Sequence, residues 1–243
     1  MALASVYSRA RVGLDSPLIN VEVDLANGLP AFNIVGLPET SVKEAKDRVR
    51  SALLNCGYQF PAKRITINLA PADLPKEGAR FDLPIAIGIL MASEQLPIMD
   101  LSNYEFAGEL SLSGKLRGII GEIPLAVACR ESGRTLMLPQ ENAEQACWVK
   151  QAKIHGLNHL NQLYPHFIGQ QKLPFLAANN AEKIISEPEH ILDMSDVVGQ
   201  PLAKRALTIA ASGGHNLMFI GPPGTGKTML ASELFHHRRT VFG

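Results

Sequence analysis

Gly221-Pro222-Pro223-Gly224-Thr225-Gly226-Lys227-Thr228 has the spacing G-x-x-x-x-G-K-[ST]. Glycines at those positions let backbone N–H groups turn inward around a di- or triphosphate, and a helix N-terminus beyond them adds a favourable dipole. Lys227 is placed to reach the β- and γ-phosphates, and the Thr228 hydroxyl to ligate Mg²⁺. The implied chemistry is the binding of a di- or triphosphate with Mg²⁺. A glycine-rich turn with an idle, solvated lysine is the plainer alternative, and the flanks argue against it. Asn216 to Ile220 is an apolar run of strand length and Met229-Leu230-Ala231 continues a helix, so strand, loop and helix follow in the order the motif needs.

The elements expected to position this loop begin at Asp193. Asp196-Val197-Val198-Gly199-Gln200 reads as a helix start, with Leu202, Ala206, Ile209 and Ala210 on one side. Before it, Gly169 to Asp193 is polar and without periodicity, and reads as a linker. The expected division is residues 1–168, a linker at 169–192, and a second unit at 193–243. In the first unit, Leu18 to Val23 and Phe32 to Val35 read as strands joined by a hairpin at Asn27-Gly28. Thr40 or Ser41 reads as an N-cap, with Glu44 completing a capping box, ahead of a helix that ends at Gly57. Arg64 to Leu69 is expected as a strand, Phe81 to Met91 as an apolar helix, and Phe106 to Leu110 with Lys115 to Ile119 as a strand pair. Ile123 to Ser132, Glu141 to Trp148 and Leu157 to Phe167 are expected as helices, with a strand at Thr135 to Leu138. Alternation of this kind means a mixed α/β domain.

The second block carries a resemblance. Asp193 to Gln200, Lys204-Arg205-Ala206-Leu207, Gly214-His215-Asn216-Leu217 and the phosphate loop resemble the start of the ATPase module in magnesium-chelatase-like AAA+ proteins of the YifB/ComM group. Val35-Gly36-Leu37-Pro38-Glu39-Thr40, Lys43-Glu44-Ala45, Asp47 to Ala52 and the run Asn68 to Ile87 are similar to that group's N-terminal domain. The resemblance implies a Lon-protease-like mixed α/β domain followed by the start of a P-loop AAA+ ATPase domain. It implies ATP and Mg²⁺ as cofactors, with Val198 and Gly199 near the adenine. It also implies a cytoplasmic homo-oligomeric ring and, in the ComM type, a helicase that drives branch migration on branched or single-stranded DNA during natural transformation. A Lon-like module that contacts DNA or protein without turnover, or a chelatase-type motor, are the alternatives.

Pro75-Lys76-Glu77-Gly78-Ala79-Arg80 resembles the Lon segment around its catalytic serine, and Ala107 to Pro124 the stretch carrying its lysine. This chain has Arg80 at the serine's position and Pro124 at the lysine's, so peptidase chemistry, which needs a hydroxyl and its base within reach, is not expected. Only 15 residues follow Thr228. The acidic strand motif, polar sensor and arginine finger of a ring ATPase would lie beyond them. The chain therefore reads as an N-terminal part of such a motor, with no catalytic residue assigned. Its last stretch, including His236-His237-Arg238-Arg239, does not follow the family pattern.

Composition narrows the setting. Lys plus Arg number 23 and Asp plus Glu number 23, so no global field draws the chain to nucleic acid or lipid. Three cysteines without a C-x-x-C pair indicate neither a disulfide framework nor a zinc ribbon. Met1 to Gly13 lacks an apolar signal region, and the longest apolar run, Leu83 to Ala92, is too short to span a bilayer. A cytoplasmic protein is expected. Lys43, Arg48, Arg50, Lys63, Arg64, Lys76 and Arg80 are the main basic concentration, interleaved with acids.

Overall fold

The computed structural model describes residues 2–97, 100–176, 197–213 and 215–231. It divides into two compact units, Met1–Asn179 and Asn180–Gly243.

In the first unit, β1 (Ala2–Arg9) and β2 (Leu18–Ala26) form the true hairpin, antiparallel from Ala2↔Leu25 to Arg9↔Leu18. Along β2 every second residue, Ile19, Val21, Val23 and Leu25, is buried, while Asn20, Glu22 and Asp24 keep contact with water. That is the period of a strand with one wet face. The expected hairpin at Asn27-Gly28 is not formed. β3 (Ala31–Val35) instead pairs parallel with β4 (Arg64–Ala70), and β4 lies between β3 and β2. The crossover carries α1 (Thr40–Lys43) and α2 (Ala45–Asn55). A capping box does not form at its start. Glu39 is the N-cap and Glu44 separates the two helices, while Ser41 Oγ accepts from the Gly78 N–H at 3.1 Å.

α3 (Asp82–Ala92) is buried on almost every side, as its continuous apolar sequence requires. A Cβ on Gly88 would lie 2.5 Å from Val23 Cγ2, so glycine is what lets this helix settle onto the sheet. β5 (Tyr104–Phe106) then pairs parallel with β1 and with β8 (Thr135–Pro139), and β9 (Lys153–Leu157) extends the edge. The whole sheet runs β3-β4-β2-β1-β5-β8-β9, mixed and mostly parallel. The expected pair at 106–119 shortens to β6 (Glu109–Leu110) against β7 (Leu116–Arg117). α4 (Glu122–Glu131) and α5 (Gln140–Ala146) pack a second core with Leu136, Leu138 and Ile154. Leu157 to Phe167 is not one helix: β9 ends at Leu157, a 3₁₀ turn follows at Leu160–Gln162, and α6 spans Leu163–Phe167.

The two halves of the sheet meet at a buried ion cluster. Glu105 on β5 accepts from Arg9 Nε at 2.6 Å and Nη2 at 2.8 Å, and from Arg134 Nη1 at 3.2 Å. Both Glu105 and Arg9 are buried. Residues 169–176 of the expected linker run beside β9, where Leu176 N–H donates to Ile154 at 2.9 Å and Phe175 stacks on His155. Residues 177–192 lie outside the described residues.

In the second unit, α7 (Pro201–Gly213) opens on proline, whose fixed φ suits a first helical turn. Its inward face is Leu207, Ala210 and Ala211; of the expected face Ala210 is buried and Ala206 half-buried, while Leu202 and Ile209 are exposed. The strand expected at Asn216 to Ile220 is absent, because none of the described residues offers it a partner. Phe219 nevertheless packs on a small core of Val197, Leu207 and Leu230.

Candidate functional site

The loop from Gly221 to Thr228 takes its shape from two glycines. Gly224 and Gly226 have φ of +81° and +79°, the left-handed region that side chains resist. Between them Thr225 turns its hydroxyl back to donate to Pro222 O at 3.0 Å. Residues 227–231 are helical, and Leu230 N–H donates to Gly226 O at 3.0 Å. Leu230 is the buried anchor of that turn. Lys227 folds over the loop, its ammonium donating to Gly221 O at 2.9 Å and Pro222 O at 2.6 Å. Thr228 follows in the same first helical turn.

Val198 and Gly199 belong to the same unit, on a turn that touches this loop. Gly199 has φ of +75° and Gln200 of +53°, and Gln200 Nε2 donates to Thr225 O at 3.3 Å. Gln200 was not among the expected site residues. Its signal was an amide side chain directly after a glycine at a helix start. Val198 is 93% exposed, leaving its side chain open to a ligand. Glycines free of Cβ, a movable lysine, a threonine hydroxyl and a helix N-terminus form a donor set that fits a Mg²⁺-bound polyphosphate.

Arg80, the residue expected at the position of a catalytic serine, is buried and donates from Nη2 to Ile120 O at 2.6 Å. Pro124 sits in the first turn of α4. The basic concentration read from the sequence divides: Arg48 is committed to Asp82, Lys76 is fully buried with its ammonium on Pro71 O, and Lys43, Arg50, Lys63 and Arg64 remain exposed. Among the described residues no cluster of His, Cys, Asp and Glu could hold a metal ion, and no helix is long and apolar enough to cross a membrane.

Asp82, the first residue of α3, accepts from Arg48 Nε at 2.7 Å and Nη2 at 3.0 Å and from Leu110 N–H at 3.2 Å. Burial still outweighs these bonds and pushes its carboxyl up to about 6 from 3.8. The folded chain then holds this proton more tightly than the unfolded chain, so the Asp82 contribution to stability falls as pH rises from about 4 to 6, by ~3 kcal/mol at most. Thermal unfolding of Asp82→Asn across that window is expected to lack this component. An identical pH slope in both proteins would refute the assignment.

The family model described as Subunit ChlI of Mg-chelatase matches residues 21–142, and that described as Magnesium chelatase, subunit ChlI matches residues 193–237. Competence protein ComM of Haemophilus influenzae is 54% identical over 235 residues, 96% of this chain. The chain belongs to the ComM/YifB family of magnesium-chelatase-like AAA+ proteins. The YifB proteins of Salmonella typhimurium and Escherichia coli are each 50% identical over 234 residues, again 96% of the chain. The chain spans about half the length of these ComM and YifB relatives, 46% in each case.

Proposed function

We propose that the second unit binds ATP with Mg²⁺ through Gly221 to Thr228, and that the protein uses this nucleotide as a ComM-type, ring-forming cytoplasmic motor on branched or single-stranded DNA. The observation that carries the reading is the loop itself: two left-handed glycines and an ammonium held at 2.6–2.9 Å from carbonyl oxygens of the same loop, at the mouth of a helix. A lysine so placed exchanges those carbonyls for phosphate oxygens with a small side-chain movement. Val198, Gly199 and Gln200 stand beside it as the base-side wall. The first unit, in this reading, is a Lon-like domain without peptidase chemistry.

A groove of ≈ 410 Å³ on the first unit favours a second role, the direct contact of DNA. Phe32 and Phe60 stack there with ring centroids 6.3 Å apart, Arg50 lies 5.6 Å over the Phe60 ring, and Lys46 and Lys63 line the sides. Rings beside cations that make no ion pair among the described residues suit bases and phosphates of a single strand. One experiment separates the two readings: ATP hydrolysis and DNA binding are measured together on a protein extended to the full length of its relatives. A motor shows hydrolysis that rises with single-stranded or branched DNA. Salt-sensitive DNA binding without turnover leaves the contact module alone, and neither activity refutes both.

A further inference from the structure

The first unit contains a buried cation that makes no ion pair among the described residues. Arg80 is 5% exposed. Its Nη2 is satisfied by Ile120 O, yet Nη1 is buried without a hydrogen-bond partner. Among the described residues no carboxylate lies within 4 Å of Arg80 or of Arg11. An orphaned donor on a buried charge is expensive, and such groups persist where something outside the chain completes them.

Arg11 approaches the same point. A Cβ built on Gly121 would lie 3.4 Å from Arg11 Cδ and 3.7 Å from Arg80 Nη2, so the two side chains converge on the N-cap of the ten-residue helix α4. Together they line a cleft of ≈ 280 Å³ walled by Gly78, Gly118 and Ile120. Two carboxylates also line it. Glu109 leans to Arg117 at 3.6 Å, and Glu77 is exposed. Burial, and then the charge of Arg11, lower the Arg80 pKa, with Glu77 opposing them more weakly. The far wall is steadied from α5: Asn142 Oδ1 accepts from Ile119 N–H and its Nδ2 donates to Ile119 O, both at 2.8 Å.

We propose that this cleft binds a phosphate-class oxyanion, as the free ion or as a phosphate monoester, between Arg11 and Arg80. Guanidinium forks match carboxylate and phosphate alike. Two converging cations beside a helix N-terminus favour the dianion, since a single carboxylate leaves one of the two positive charges unbalanced. The inference does not rest on the nucleotide reading, which concerns the other unit.

The test uses the full chain carrying Lys227→Ala, so that the loop at Gly221 does not supply the signal. Inorganic phosphate, O-phosphoserine and acetate are titrated by calorimetry. Saturable phosphate binding is expected, at least tenfold weaker after Arg11→Gln and lost after Arg80→Gln, with acetate unable to compete. Tighter binding of phosphoserine assigns the group to a larger molecule, and tighter inorganic phosphate assigns it to the free ion. Arg11 is exposed, so Arg11→Gln is expected to fold even where the Arg80 variant does not. Unchanged phosphate affinity in Arg11→Gln overturns the proposal, as does acetate binding equal to phosphate, or the absence of saturable binding.

Discussion

Lys227→Ala is expected to weaken ATP binding about 100-fold without unfolding the chain. The ammonium is the one side-chain cation that the loop holds over itself, and its bonds to Gly221 O and Pro222 O are exposed. Losing them leaves no buried donor behind. A charge-assisted hydrogen bond to a phosphate oxygen contributes about 3 kcal/mol, which is the 100-fold. Thr228→Ala is expected to act differently, reducing the gain in affinity that Mg²⁺ gives while leaving metal-free binding nearly intact. Titration of a fluorescent ATP analogue, with and without Mg²⁺, reads both effects. An alanine variant at Lys227 that binds as tightly as the parent would remove the phosphate loop from the account.

The second large effect concerns stability. Glu105→Gln is expected to destabilise the first unit by about 3–5 kcal/mol, because it leaves Arg9 buried beside an amide that cannot balance its charge. Arg9 is 6% exposed and has no other carboxylate within 4 Å among the described residues. The loss falls where β1 meets β5, at the single register pair Tyr7↔Glu105. The triple replacement Arg9→Met, Glu105→Leu and Arg134→Met is expected to recover most of the loss, since an apolar set of similar volume carries no desolvation penalty. Urea unfolding followed by circular dichroism and by Trp148, the chain's single tryptophan, reads the difference. A glutamine variant as stable as the parent would show that water reaches the cluster.

Local pattern made some elements readable and left others hidden. β2 and β4 announce themselves because β-branched residues alternate with polar ones. β1 does not: its alanines, serines and Arg9 carry little strand preference, and only pairing with β2 and β5 fixes it. Asn27-Gly28 is a sound hairpin signal, yet β3 takes its partner 33 residues further on, from Ala31↔Arg64 to Val35↔Asn68, a choice made by the crossover helices and not by the turn. β9 contains His155 and Gly156, and its strand character comes from the β8 edge. The turn at Gly221 to Thr228 was legible, because its glycines act through local backbone geometry, whereas the strand expected before it does not form and the Gln200 contact gave little sign of itself. Arg80 was not: a charge in a proline-flanked loop reads as solvated, and only the packing of residues 118–121 above it reveals the burial.

Asn142 gives the wall at Ile119 what a neighbouring strand would otherwise give, one acceptor and one donor in register with the peptide. A side chain thus substitutes for a whole backbone partner. The loop needs no ladder to stay in place, and Ile120 and Gly118 on either side are released from pairing. Support and recognition are thereby assigned to separate elements. α5 sets the position of the rim a second time through Glu141, because a Cβ on Gly118 would collide with its Oε1, so the residue that faces the cleft there has to remain without a side chain.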